Sequence, residues 1–129
     1  MARILVIDDD ATIRLSLKLA LEDVGHHVEE AANGLKGIDQ FRANPADLVV
    51  TDIFMPEKEG MELIDEIKRD RPETKIIAIS GGGRMNPDDY LTIARRLGAD
   101  RTLLKPFDID LLLDTVDALL QPDGSGDNP

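Results

Sequence analysis

Leu48-Val49-Val50-Thr51-Asp52-Ile53-Phe54-Met55-Pro56 is the stretch on which the reading of this chain turns. Its apolar, β-branched start has the character of a strand buried on both faces, and one carboxylate, Asp52, stands where that run ends. A lone Asp inside a buried strand is costly. At the carboxyl end of a strand, where loops open to water, it is tolerable and usable. Two other segments have the same form: Ile4-Leu5-Val6-Ile7 runs into Asp8-Asp9-Asp10, and Thr102-Leu103-Leu104 runs into Lys105-Pro106. Three parallel strands ending at one edge would gather acids and a lysine around Asp52.

Outward from that stretch, short β-branched runs alternate with helical periodicity. Ile4–Ile7 reads as a strand. Asp10 to Val24 reads as a helix with Ile13, Leu17, Ala20, Leu21 and Val24 on its inner face, ended by Gly25. His27–Ala31 mixes polar and apolar residues, as an edge strand does. Asn33-Gly34 turns into a helix that directs Leu35, Ile38 and Phe41 inward. After the strand Asp47–Thr51 comes a helix from Glu59 to Asp70, with Met61, Leu63, Ile64 and Ile67 available for burial. The strand Lys75–Ile79 closes on Ser80 and the glycine-rich loop Gly81–Pro87. A helix from Asp88 to Leu97, stopped by Gly98, precedes the strand Thr102–Leu104. The last helix runs from Asp108 to Leu120, with Asp108 suited to cap it and Leu112, Val116 and Leu119 to pack it. Five strand–helix units in strict alternation predict an α/β chain: a single doubly wound (βα)5 domain, its five-stranded parallel sheet covered by helices on both faces. Residues 1–121 form that domain, and residues 122–129 read as a flexible tail or linker.

A chain of 129 residues suffices for one domain with its own core. The net charge of −11 makes nucleic acid and anionic membrane poor partners. The absence of cysteine removes disulfides, thiolate metal sites and cysteine nucleophiles from consideration. Met1-Ala2-Arg3-Ile4 leads into a short apolar run that meets acids at once, unlike a secretory signal, and no run reaches membrane-spanning length. A cytoplasmic protein is expected.

In a doubly wound sheet the working site lies outside the carboxyl ends of the strands, which here offer Asp8, Asp9, Asp52, Ser80 and Lys105. Clustered carboxylates repel, and a divalent cation relieves that most simply; hard oxygen ligands favour Mg²⁺. Acids at a helix N-terminus also stabilise the macrodipole, which accounts for Asp10 but not for an acid ending the central strand. Asp52 can serve as metal ligand, general base or carboxylate nucleophile. Lys105 supplies positive charge beside a phosphoryl group, Ser80 a hydroxyl donor to its oxygens. An X-Pro bond after a strand can be cis, which would set the direction of the lysine.

Ile4-Leu5-Val6-Ile7-Asp8-Asp9, Asp47 to Pro56, Gly60, Ile77-Ala78-Ile79-Ser80-Gly81, Gly98-Ala99-Asp100 and Leu104-Lys105-Pro106-Phe107 together resemble a response-regulator receiver domain, the CheY-like phosphoacceptor module of two-component signalling, with a flavodoxin-like fold. The resemblance covers residues 3 to about 120. It implies that Asp52 accepts phosphate from a histidine kinase or histidine phosphotransfer protein. It also implies that Asp9, Asp52 and the backbone carbonyl of Phe54 bind Mg²⁺ directly, and that Asp8 holds it through water. Ser80 and Lys105 would contact the phosphoryl oxygens, and the face made by the fourth helix, fifth strand and fifth helix would switch for a downstream protein. Such a module is not an enzyme beyond taking phosphate from small donors and losing it again. On the first helix Leu15 and Leu19 lie opposite the inward stripe, and by the same resemblance they are expected to dock the kinase or phosphotransfer protein.

Two rivals compete. Asp8-Asp9-Asp10-Ala11-Thr12 fits the Asp-x-Asp-x-Thr pattern of haloacid-dehalogenase-type phosphatases, with Asp8 as nucleophile and Asp10 as general acid. That reading leaves Asp52, Met55-Pro56 and Lys105-Pro106 unexplained. A receiver-like interaction module that is never phosphorylated is disfavoured because all the acids and the lysine are in place. Nothing basic, helix-turn-helix-like or catalytic follows Leu120 in this sequence: the chain is either a complete single-domain regulator, whose expected output is binding or phosphate relay, or a receiver excised from a longer protein with an output domain.

Three features depart from the family pattern. Thr102 occupies the fifth-strand place of the usual aromatic switch residue. The loop from Gly81 to Pro87 is glycine-rich and a few residues longer than the common form. Phe54, two after Asp52, is bulky and apolar where it would overhang the acceptor. Phe54→Asn is expected to speed loss of phosphate from Asp52 several-fold; an unchanged hydrolysis rate counts against a shielding role for the ring.

Overall fold

A computed structural model describes residues 2–53, 60–80 and 87–121. The Phe54 carbonyl, residues 81–86 of the glycine-rich loop and the segment 122–129 lie outside the described residues. The elements follow the alternation read from the sequence: β1 (Arg3–Ile7), α1 (Ala11–Asp23), β2 (His27–Ala31), α2 (Gly34–Ala43), β3 (Leu48–Asp52), α3 (Gly60–Asp70), β4 (Lys75–Ser80), α4 (Pro87–Leu97), β5 (Arg101–Leu104) and α5 (Ile109–Leu119). All strands are parallel, in the order β2-β1-β3-β4-β5. His27–Ala31 is indeed an edge strand. Among the described residues no helix is long and apolar enough to cross a membrane.

The two-residue period of the strands divides the core. Leu5, Ile7, Val49, Ile76 and Ala78 pack with Ile38 and Phe41 of α2, Leu63, Ile64 and Ile67 of α3 and Ala94 of α4. Ile4, Val6, Leu48, Val50, Ile77, Ile79 and Leu103 face the other way, against Leu17 and Leu21 of α1 and Leu112, Val116 and Leu119 of α5. Both faces of β1, β3 and β4 are therefore covered, which is why these strands read as unbroken apolar runs.

Three expectations about individual side chains are corrected. Val24 is 53% exposed and Leu35 49% exposed. Val24 is the C-cap of α1, one residue past the helix. In α2 the inner face begins with Gly34 and Gly37 instead, letting the helix approach Ile7 closely. Asp108 occupies the N-cap position of α5 in extended backbone but makes no side-chain cap bond, whereas Asp10 caps α1 by accepting from the backbone N–H groups of Thr12 and Ile13.

At the amino ends of the strands Lys68 of α3 donates to the Thr74 carbonyl (2.6 Å) and to Asp100 (3.0 Å), which also accepts from the Ile76 N–H at 2.8 Å. Gly98, with φ of +124°, turns the chain here against the Lys68 side chain. At the opposite edge Gly60 begins α3 directly over the end of β3, its N–H donating to the Ile53 carbonyl at 2.8 Å. A Cβ on Gly60 would collide with the Asp52 carbonyl oxygen and lie 2.6 Å from the Ile53 Cα, both rigid backbone atoms. A glycine-to-alanine change in an open helix gains about 0.5–1 kcal/mol. Here the collision dominates, and Gly60→Ala is expected to lower stability in urea by about 1–3 kcal/mol. A midpoint equal to or above that of the unaltered protein would show that the helix start has room to move.

Candidate functional site

Register brings the site together. Ile7 pairs with Thr51, Asp52 with Ile79, and Ser80 with Leu104. Asp8, Asp52, Ser80 and Lys105 therefore stand at or just beyond the paired ends of four adjacent strands. The sheet is doubly wound from β1, with β2 on one side and β3 on the other, so these ends open at the topological switch point. Parity adds direction: Asp8, Asp52 and Lys105 continue the rows of Val6, Val50 and Leu103, which face α1 and α5.

Lys105 Nζ lies 2.9 Å from Asp52 Oδ2 and 3.2 Å from Asp8 Oδ2, bridging the two acids. The backbone N–H of Lys105 donates to the Ser80 carbonyl at 2.9 Å, which fixes the base of that side chain on β4. Asp8 and Ser80 are 1% exposed and Asp52 7%, while Asp9 is exposed. The other Asp8 oxygen accepts from the Asp10 N–H at 2.9 Å. Burial pushes the Asp8 carboxyl above the usual carboxylate range. The Asp10 N–H draws it down, Asp52 repels it upward and Lys105 lowers it, but burial leads. For Lys105 burial favours the neutral amine, yet the hydrogen bond and charge of Asp52, with those of Asp8, outweigh it and hold the ammonium above its ordinary value.

Asp8, Asp9 and Asp52 each present a carboxylate oxygen within 4.8 Å of the others. Three carboxylates and one ammonium leave two net negative charges when all are ionised. Two unit charges about 4 Å apart interact by roughly 4 kcal/mol at an effective dielectric of about 20. A divalent cation is therefore matched to the site by charge, and an all-oxygen donor set suits Mg²⁺ better than a softer metal.

Of the site residues expected from sequence, Asp8, Asp9, Asp52 and Lys105 are brought together, and Ser80 is buried at the neighbouring strand end. Thr102 is half-buried on β5, and Arg95 of α4 donates to its hydroxyl at 3.4 Å. Leu15 and Leu19 are 53% and 57% exposed on α1. One neighbour escaped the sequence reading altogether. Arg14 of α1 donates through Nη1 to the Asp8 carbonyl at 2.7 Å and through Nε to Glu30 of β2 at 3.1 Å. Its only signal in the sequence is a cation one turn after Asp10, which reads as helix surface.

The geometry has close counterparts among known proteins. A family model described as "Response regulator receiver domain" matches residues 4–117. The transcriptional regulator NtrC of Azospirillum brasilense is 37% identical over 92% of this chain, and the chemotaxis protein CheY of Bacillus subtilis is 34% identical over 92% of it. The match spans 24% of that NtrC and 97% of that CheY. A receiver domain protein from Clostridium thermocellum superposes with a TM-score of 0.84 at 34% identity, covering 93% of this chain and 94% of its own. The chain thus spans a quarter to about half the length of several longer regulators that it matches, and nearly all of CheY. Sequence, fold and the arrangement of acids at the strand ends agree: the chain belongs to the response regulator receiver domain family.

Proposed function

We propose that the chain is the phosphoacceptor of a two-component or phosphorelay system, with Asp52 taking a phosphoryl group from a phosphohistidine. The observation that carries this reading is the Lys105 ammonium bridging the two buried carboxylates, Asp52 and Asp8, of an acidic cluster at the switch point of the sheet. Asp52 Oδ attacks the phosphorus in line, the histidine N–P bond breaks, and its electron pair returns to the imidazole, which takes up a proton. The product is an aspartyl phosphate on Asp52. Such a transfer depends mainly on positioning and on neutralising charge. Lys105 meets the charge on the transferring oxygens, and Ser80 offers them a hydroxyl from β4. Asp8, Asp9, Asp52 and the Phe54 carbonyl would hold Mg²⁺, which supplies further charge neutralisation when bound. The chain acts as substrate and switch, not as a turnover enzyme.

The phosphatase rival needs Asp10 free as a general acid. Asp10 instead accepts two backbone hydrogen bonds at the start of α1.

For the phosphodonor we propose docking on α1 of a cytoplasmic histidine kinase or histidine phosphotransfer protein. Leu15 and Leu19 are exposed there. Beside that helix a mainly apolar groove of about 440 Å³, lined by Thr12, Ile13, Ser16, Pro106, Phe107 and Ile109 among others, opens next to Lys105. The α4-β5-α5 face, where Thr102 replaces a ring, would carry the signal to a downstream protein. Residues 1–121 make up the receiver unit in this proposal, with 122–129 as tail or linker.

Acetyl phosphate with Mg²⁺ is expected to add one phosphoryl group by intact-mass measurement, and Asp52→Asn to abolish it. Modification that persists in Asp52→Asn, or moves to Asp8, overturns the assignment. The double variant Leu15→Arg/Leu19→Arg is expected to lose at least about tenfold in transfer rate from its histidine phosphodonor, equivalent to roughly 1.4 kcal/mol, while reacting normally with acetyl phosphate. Equal rates from both donors would remove α1 as the docking face.

A further inference from the structure

The three carboxylates of the cluster are not equally secured. Asp8 is held by Lys105 and the Asp10 N–H, and Asp52 by Lys105. Asp9 is exposed, and its carboxylate makes no hydrogen bond or ion pair among the described residues. What directs Asp9 is therefore its backbone, and specifically the Asp8–Asp9 peptide from which it springs. That turn is held on two sides. The Asp8 N–H continues the β1–β2 ladder by donating to the Ala31 carbonyl at 3.2 Å, and the Asp8 carbonyl accepts from Arg14 Nη1 at 2.7 Å. Arg14 is itself anchored: its Nε donates to Glu30 Oε1 at 3.1 Å, and Glu30 is the residue before Ala31 on β2. Lys18 sits 3.7 Å from the other Glu30 oxygen. The Arg14 side chain is only 17% exposed, so the guanidinium works partly shielded from water.

We infer that Arg14 is a positioning residue for the divalent cation: by tying the Asp8 carbonyl to Glu30 of the edge strand, it fixes the Asp8–Asp9 peptide and hence the direction of the Asp9 carboxylate. The inference rests on reading the acidic cluster as a cation site. Arginine suits this task better than lysine, because its planar fork can hold a carboxylate with one nitrogen and a carbonyl with another. Groups that orient a ligand from behind commonly change metal affinity by about 10–100-fold when lost.

Two effects of removing Arg14 have opposite signs, which makes the inference testable. Arg14 is a cation near a cation site, so deleting its charge would, by relieving Coulomb repulsion alone, tighten metal binding. Deleting its hold on the peptide would weaken it. The test is titration of the purified chain with Mn²⁺, followed by the free-ion electron paramagnetic resonance signal, with thermal unfolding recorded in parallel. Arg14→Met is expected to weaken Mn²⁺ binding about tenfold, and Glu30→Gln to weaken it in the same direction. Combining them should add little beyond Arg14→Met, because Glu30 acts through Arg14. Lys18→Met, which touches Glu30 but not the Asp8 turn, is expected to leave the affinity unchanged. If Arg14→Met does not fold, Arg14→Lys carries the test: it keeps the positive charge but lacks the planar fork that holds the Glu30 carboxylate and the Asp8 carbonyl together, and it is expected to weaken Mn²⁺ binding in the same direction. Binding as tight as that of the unaltered protein, or tighter, with only a lower unfolding temperature, would reduce Arg14 to a structural tie and overturn the inference. An unaltered chain that binds no Mn²⁺ overturns the cation reading and this inference together, whereas normal binding with unmoved variants removes the inference only.

Discussion

The contact on which the site depends is the bridge from one ammonium to two buried carboxylates, Lys105 to Asp52 and Asp8. Adjacent parallel strands β1 and β3 must end in register for their cores to pack, and that register sets Asp8 beside Asp52. Burial, and after it the like charge of Asp52, favours the neutral form of Asp8 and raises its proton affinity. A lysine from β5 offsets it across β4. Its side chain reaches the acids because its backbone is pinned to the Ser80 carbonyl and its parity on β5 points it to the same side of the sheet.

The same arrangement makes the architecture legible in the sequence. Strands covered on both faces read as continuous apolar runs, so an ionisable residue at the end of each run marks the place where the core stops and the site begins. Asp8, Asp52, Ser80 and Lys105 could be picked out on that basis, and strict alternation gave the parallel doubly wound sheet. Side chains that depend on the angle of approach between elements were not legible. Val24 and Leu35 fit a helical stripe by spacing, yet Val24 lies one residue past the end of α1, and α2 uses Gly34 and Gly37 to come close. Asp10 and Asp108 have equal claims as caps in sequence, and only Asp10 makes the bonds.

Arg14 was hidden for a related reason. Periodicity assigns a residue to a face of its own helix, but the value of this guanidinium comes from a carbonyl on β1 and a carboxylate on β2. No spacing rule joins residues 8, 14 and 30. Gly60 is intermediate: a glycine at a helix start is visible, but its need arises only from the Asp52 and Ile53 backbone beneath it.

Charge is distributed in the site by layer. The central strands β1 and β3 carry the anions, and the cations reach in from outside, Lys105 from edge strand β5 and Arg14 from α1 against edge strand β2. The anions are the fixed part, because both faces of their strands are buried and a shift of β1 against β3 would disturb both halves of the core. Of the two cations, Lys105 is the adjustable one. On the proposed reading, a phosphoryl group on Asp52 adds negative charge to the fixed layer, and the response falls on the groups that can move. Arg14, locked between a carbonyl and a carboxylate, has little freedom to respond. Lys105 is held at its head by the very acids whose charge changes. Its backbone is joined to Ser80, so a new position for the ammonium acts first on the β4–β5 end of the sheet, beside α4 and Thr102, and not on the strands that carry the acids.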